Sequence, residues 1–89
     1  MSDKIRILSV DDHPLLHEGI ATIIRSQPDM VLAAEANTGQ EGISQFRQYR
    51  PDITLMDLRL PDISGIDAMK SILSEFPGAR VIIRIPLII

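Results

Sequence analysis

The sequence has no cysteine, which excludes disulfides, thiolate metal sites and cysteine nucleophiles. It has no tryptophan, one tyrosine and two phenylalanines. Any core is therefore aliphatic and rich in isoleucine, which favours strands and helix faces packed on a sheet. No apolar run approaches the roughly 20 residues of a membrane span. The N-terminus MSDKIRILSV has no signal-peptide layout, because a strand-like segment begins almost at once. The expected compartment is the cytoplasm, with no membrane partner. There is no basic excess either. The net charge is -3 and the isoelectric point about 5.2. Lys4, Arg6, Arg47 and Arg50 form no basic stripe, so no nucleic-acid partner is expected.

The 89 residues are 45% hydrophobic and 24% charged, an ordinary globular mix rather than a disordered one. They form one domain at most. A chain this short buries only about 60–65% of its unfolded surface. An open α/β sheet covered on both faces is hard to complete at that length.

Apolar periodicity alternates between strand and helix along the chain. Lys4–Val10 reads as a strand. Pro14 opens a helix with Leu15, Leu16, Gly19, Ile20, Ile23 and Ile24 along one face, ended by Pro28–Asp29. Met30–Ala36 is a second strand. Thr38 and Glu41 form a capping box for a second helix to about Tyr49, with Ile43 and Phe46 inward. Ile53–Asp57 is a third strand, and Leu58–Gly65 a loop with Pro61 and Gly65. Ser64 and Asp67 are placed to cap a third helix, with Ile66, Met69, Ile72, Leu73 and Phe76 as its buried stripe. Arg80–Ile85 is a fourth strand. The order βαβαβαβ means right-handed crossovers and a doubly wound parallel sheet.

Asp11 and Asp12 follow the first strand, and Asp57 ends the third. Ligands of doubly wound sheets bind at the carboxyl ends of strands, where the strand order reverses. In a flavodoxin-like order 2-1-3-4 the first and third strands are neighbours at that point, and the three carboxylates converge with Asp57 at the floor. Like charges about 4 Å apart repel by roughly 4 kcal/mol per pair at an effective dielectric near 20. A raised pKa or a hard cation relieves this. Mg²⁺ fits an all-oxygen donor set and keeps room for a phosphate oxygen. The Asp57 carboxylate is then a candidate nucleophile for phosphoryl transfer. A lone Asp at a strand end is most often a cap or turn former; an adjacent pair plus a third on the neighbouring strand is harder to explain that way. His13 is expected to be an ordinary helix-start residue, His17 a solvent-facing one, and Met56 and Met69 core filler.

The segments LSVDDHPLLHEGI and RPDITLMDLRLPDISGIDAM resemble the receiver domain of bacterial two-component response regulators. The closest resemblance is to those joined to a LuxR-type helix-turn-helix. It runs from about Lys4 to Val81 and implies a role for several residues. Asp57 would be the phosphoacceptor for a sensor histidine kinase. Asp12 would bind Mg²⁺ directly, Asp11 through water, and Arg59 through its backbone carbonyl. Pro61 and Gly65 would shape the cleft rim. The exposed side of the first helix, including His17 and Glu18, would dock the kinase. No enzyme activity is implied beyond assistance to the chain's own phosphorylation and dephosphorylation.

The ending departs from that family. Its fourth strand ends in Ser or Thr where Ile85 stands, Arg84 interrupts an apolar strand, and Pro86 removes an N–H donor. The expected organisation is a truncated receiver over 1–83 and an atypical apolar tail over 84–89, such as a shifted reading frame or a cloning artefact would produce. A fifth strand, a following Lys, the last helices and the DNA-binding domain have no counterpart. Strand four is then an exposed edge, and Ile82, Ile83, Ile85, Leu87, Ile88 and Ile89 lack packing partners. A homo-oligomer through strand four and the tail is expected. The alternative function is a signalling-incompetent fragment that self-associates. A small Mg²⁺-dependent phosphatase is disfavoured, since Arg59 stands where such an enzyme would carry a second Asp.

Overall fold

Four prolines sit at junctions between elements, where a missing N–H donor is tolerated. Between them lie β1 (Ile5–Val10), α1 (Pro14–Arg25), β2 (Met30–Ala36), α2 (Gly39–Tyr49), β3 (Ile53–Asp57), α3 (Gly65–Glu75) and β4 (Val81–Arg84). The computed structural model describes residues 3–85. All strand pairs are parallel, in the order β2-β1-β3-β4. The flavodoxin-like arrangement read from the sequence is therefore the observed one. Among the described residues, no helix is long and apolar enough to cross a membrane.

Strand alternation divides the packing. Leu8 and Val10 of β1 and Met56 of β3 meet Ile43 and Phe46 of α2 and Ala68 and Ile72 of α3 in the main core. Ile7 and Ser9 point to the opposite face, where α1 presents Ala21 and Ile24. That face is less complete. Ile20, Leu55 and Ile82 border a cleft of about 250 Å³, and Ile82 is 54% exposed. Ile83, expected to lack partners, packs on the main core. Arg84, expected to begin the tail, is the last residue of β4. The tail residues 86–89 lie outside the described residues.

The buried face of α1 differs from the expected one. Leu15 is 84% and Ile23 65% exposed, while His17, Ala21 and Ile24 are buried. The spacing i, i+4, i+7 still marks one helical face, but a polar residue begins it. His17 is not solvent-facing. Its Nε2 contacts the Asp11 carbonyl oxygen, and its Nδ1 lies 3.2 Å from Glu35 Oε2. The Asp11 contact satisfies Nε2, while Nδ1, near Glu35, makes no hydrogen bond among the described residues. In α3 the residue missing from the expected stripe is Ala68, fully buried between Gly65 and Ile72.

Helix caps follow the sequence signals. Thr38 Oγ1 accepts from the Glu41 N–H at 3.0 Å, and Ser64 Oγ accepts from the Asp67 N–H at 3.1 Å. Glu41 reaches back to the Asn37 N–H at 2.7 Å. Arg50 ends α2 in the left-handed region with φ 46°, and its guanidinium lies 4.0 Å over the Phe76 ring.

One capping contact joins two loops. Asp62 accepts from the Gly39 and Gln40 N–H groups at 2.8 and 2.9 Å, so the β3–α3 loop is fastened to the N-terminus of α2. Burial pushes the Asp62 carboxyl up, but the hydrogen bonds from Gln40 and Gly39 outweigh it and hold its pKa below the ordinary 3.8. Asp62→Ala is expected to lose about 1 kcal/mol in urea unfolding at pH 7. Because the folded pKa is depressed, the Asp62 contribution is present above pH 3.8 and fades as pH falls through the lower folded value. The gap between wild type and Asp62→Ala should therefore narrow at pH 3. An undiminished gap there would contradict the assignment.

Candidate functional site

The carboxyl ends of β1, β3 and β4 lie side by side because their registers align. Val10 pairs with Met56 and Asp57 with Arg84. Paired residues of a parallel ladder project to the same face, so Asp57 and Arg84 are neighbours. Asp11 leaves β1 with its N–H on the Ala36 carbonyl at 2.9 Å. Asp11 and Asp57 are buried, and Asp12 is partly exposed. One ligand atom from each of Asp11, Asp12, His13 and Asp57 lies within 4.8 Å of the others.

The three expected carboxylates are thus brought together. Arg59 lines the adjoining cleft of about 340 Å³ with Asp12, His13, Leu60 and Pro61. Its N–H lies 3.3 Å from Asp57 Oδ1. Asp57 Oδ2 differs: it is buried and, among the described residues, accepts no hydrogen bond.

Two basic groups that the sequence reading gave no place in the site are also here. His13 is the N-cap of α1, as a helix-start residue, but its ring turns into the cluster. Its Nδ1 lies 2.8 Å from Asp11 Oδ1, 3.1 Å from Asp12 Oδ1 and 3.7 Å from Asp57 Oδ2. Its N–H donates to Asp11 Oδ1 at 2.6 Å. Arg84 Nη2 donates to Asp11 Oδ2 at 2.7 Å and lies 3.0 Å from Asp57 Oδ2. The Arg84 signal in the sequence is a lone cation in an apolar strand; its register against Asp57 is what the sequence does not print.

Charge balance follows from these contacts. Burial pushes the Asp11 carboxyl up, but the His13 N–H and the Arg84 guanidinium outweigh it, so its pKa is lowered. The hydrogen bond to Asp11, with the charges of Asp11 and Asp12, raises the His13 imidazole above 6.5. The donor set suits a hard divalent cation: three carboxylates, one of them with a buried oxygen that lacks a hydrogen bond. Asp11, Asp12 and Asp57 are compatible with Mg²⁺.

Gly65 keeps Asp57 in place. A Cβ at residue 65 would lie 2.1 Å from the Asp57 carbonyl oxygen and 3.0 Å from Leu58 Cα, both backbone atoms. The Gly65 N–H also donates to the Leu58 carbonyl at 2.8 Å. The helix therefore starts flush against the end of β3, a closeness only glycine permits.

Comparison with known proteins gives a consistent result. Residues 7–84 match the family model of the response regulator receiver domain. The uncharacterized transcriptional regulatory protein YxjL of Bacillus subtilis is 42% identical over 81 residues, covering 91% of this chain and 37% of that protein. A two-component response regulator of the LuxR family from Aurantimonas sp. SI85-9A1 superposes with a TM-score of 0.88 at 38% identity, over 92% of this chain and 59% of that one. The CheX-CheY-BeF3-Mg²⁺ complex from Borrelia burgdorferi gives a TM-score of 0.87 at 25% identity, over 93% and 63%. The chain spans well under half the length of the curated relatives it matches.

Gly65→Ala is expected to cost about 1–3 kcal/mol, since neither backbone atom it meets can yield cheaply. Gly19, with open space around its Cβ position inside α1, is the control. Gly19→Ala should be neutral or stabilising by up to about 1 kcal/mol. Urea midpoints that fall equally for the two variants would refute the close-contact account.

Proposed function

The chain belongs to the response regulator receiver domain family, and from that premise we propose that it accepts a phosphoryl group on Asp57 from the phosphohistidine of a sensor histidine kinase. The observation that carries this reading is the buried Asp57 Oδ2, whose lone pairs no hydrogen bond engages. That oxygen attacks phosphorus, forming a P–O bond. The P–N bond to the donor imidazole breaks, and its electron pair returns to the nitrogen. The product is an acyl phosphate on Asp57.

Asp11, Asp12, Asp57 and the backbone carbonyl of Arg59 are the proposed Mg²⁺ ligands. When bound, the ion would offset the charge of the carboxylates and of the incoming phosphoryl oxygens. The Borrelia neighbour, a complex with BeF3 and Mg²⁺, supports the same chemistry here. The chain is in this reading the acceptor of a transfer, not an enzyme with a separate substrate, and assists only its own phosphorylation and dephosphorylation. A cytoplasmic site of action fits it. Docking of the kinase on α1 would use exposed residues such as Leu15, Glu18 and Ile23, not the buried His17.

Incubation with Mg²⁺ and acetyl phosphate, followed by intact-mass measurement, should add one phosphoryl group to wild type and none to Asp57→Asn. No gain in wild type, or an equal gain in the variant, would sink the proposal.

A second partner reading rests on β4. Among the described residues β4 pairs only with β3, and Ile82 and Ile85 are 54% and 63% exposed. Such an edge with apolar flanks favours pairing with a second copy of the chain. Sedimentation velocity at tens of micromolar should then show a dimer that Ile82→Lys weakens. A monomer in both cases would exclude this pairing.

A further inference from the structure

Arg84 has no part in the chemistry above, yet it is the cation in closest contact with that chemistry. Its Nη2 makes a charge-assisted hydrogen bond to Asp11 Oδ2 at 2.7 Å and sits 3.0 Å from Asp57 Oδ2. Both carboxylates are almost wholly buried, and the Arg84 side chain is only 35% exposed. Asp11 Oδ1 is meanwhile taken by His13, through its N–H at 2.6 Å and its ring at 2.8 Å. Both oxygens of Asp11 are thus engaged, and Asp57 Oδ2 faces a positive charge. The position is built in, because the β3–β4 register sets residue 84 beside residue 57 on the same face.

We propose that Arg84 is a resident counter-cation that competes with a divalent cation for Asp11 and Asp57 and so sets how much Mg²⁺ the site requires. The proposal rests on the reading of this cluster as a Mg²⁺-assisted phosphoacceptor site. A guanidinium and a divalent ion cannot share the same carboxylate oxygens without repelling one another, so the ion enters as the Arg84 head group leaves. The Arg84 side chain is already 35% exposed, so the displaced head group has a route to solvent. The flexible stem lets it swing while β4 stays in place. Without the ion, Arg84 keeps the buried carboxylates compensated, so the folded state does not depend on metal.

Calorimetric titration of the full chain with MgCl₂ alone, at fixed ionic strength and pH 7, tests this. Arg84→Met keeps the stem and removes the charge; it should bind Mg²⁺ about tenfold more tightly than wild type. Arg84→Lys should stay near wild type. Thermal unfolding gives the second readout. Arg84→Met should melt below wild type without Mg²⁺ and gain more than wild type when Mg²⁺ is added. If Arg84→Met is unfolded, Arg84→Gln is measured in its place. Equal affinities in wild type and the uncharged variant, or weaker binding by the variant, would overturn the competition while leaving the phosphoacceptor reading intact. No saturable binding by any of the proteins would overturn both.

Discussion

Negative charge gathered out of water is the constraint on which the rest of the structure depends. β1 and β3 are central strands, flanked on both sides, so the residues that end them have little solvent to face. Two of the three aspartates there are buried. Repulsion among them must be met from within, and the nearest elements are arranged to do so. α1 begins with His13 turned into the cluster, β4 ends with Arg84, and the β3–α3 loop returns a backbone N–H toward Asp57 Oδ1. One atom, Asp57 Oδ2, has the Arg84 guanidinium 3.0 Å away but, among the described residues, accepts no hydrogen bond.

The scaffold around this cluster is made of contacts that are individually ordinary. Asp62 holds the β3–α3 loop to α2, and His17 sits under the Asp11 carbonyl and beside Glu35 of β2. The Arg47–Glu75 pair, bonded at 2.8 Å, links α2 to α3, though an exposed pair adds little to stability. The Asp62 and His17 contacts tie the site to α2 and α1, so the carboxylates are positioned by elements far apart in the chain.

The alternation of strands and helices was legible because prolines and caps punctuate it. Met30–Ala36 and Ile53–Asp57 coincide with β2 and β3 to the residue, and Thr38 and Ser64 cap where their spacing requires. The acidic triad was legible because strand order at the carboxyl ends follows from topology. Less legible was anything set by rotation or register. Hydrophobicity placed Leu15 and Ile23 inward on α1, whereas His17, in contact with the Asp11 carbonyl, lies on the buried face with Ala21 and Ile24. Arg84 read as a flaw in an apolar strand because its merit depends on residue 57, twenty-seven positions earlier in the sequence. His13 has two attributes, a backbone role at a helix start and a ring among carboxylates, and the sequence speaks for only the first.

The contact between Gly65 and the Asp57 carbonyl carries no chemistry of its own, since it involves no side chain. It nevertheless narrows the routes by which sequences of this kind can drift. Lys70 and Ser71, on the exposed side of the same helix, answer mainly to solvent. Position 65 answers to the backbone of Asp57, and every single-nucleotide step away from glycine there adds at least a Cβ where an oxygen already stands. Asp57 thus imposes its strictest heredity on a residue that has no side chain.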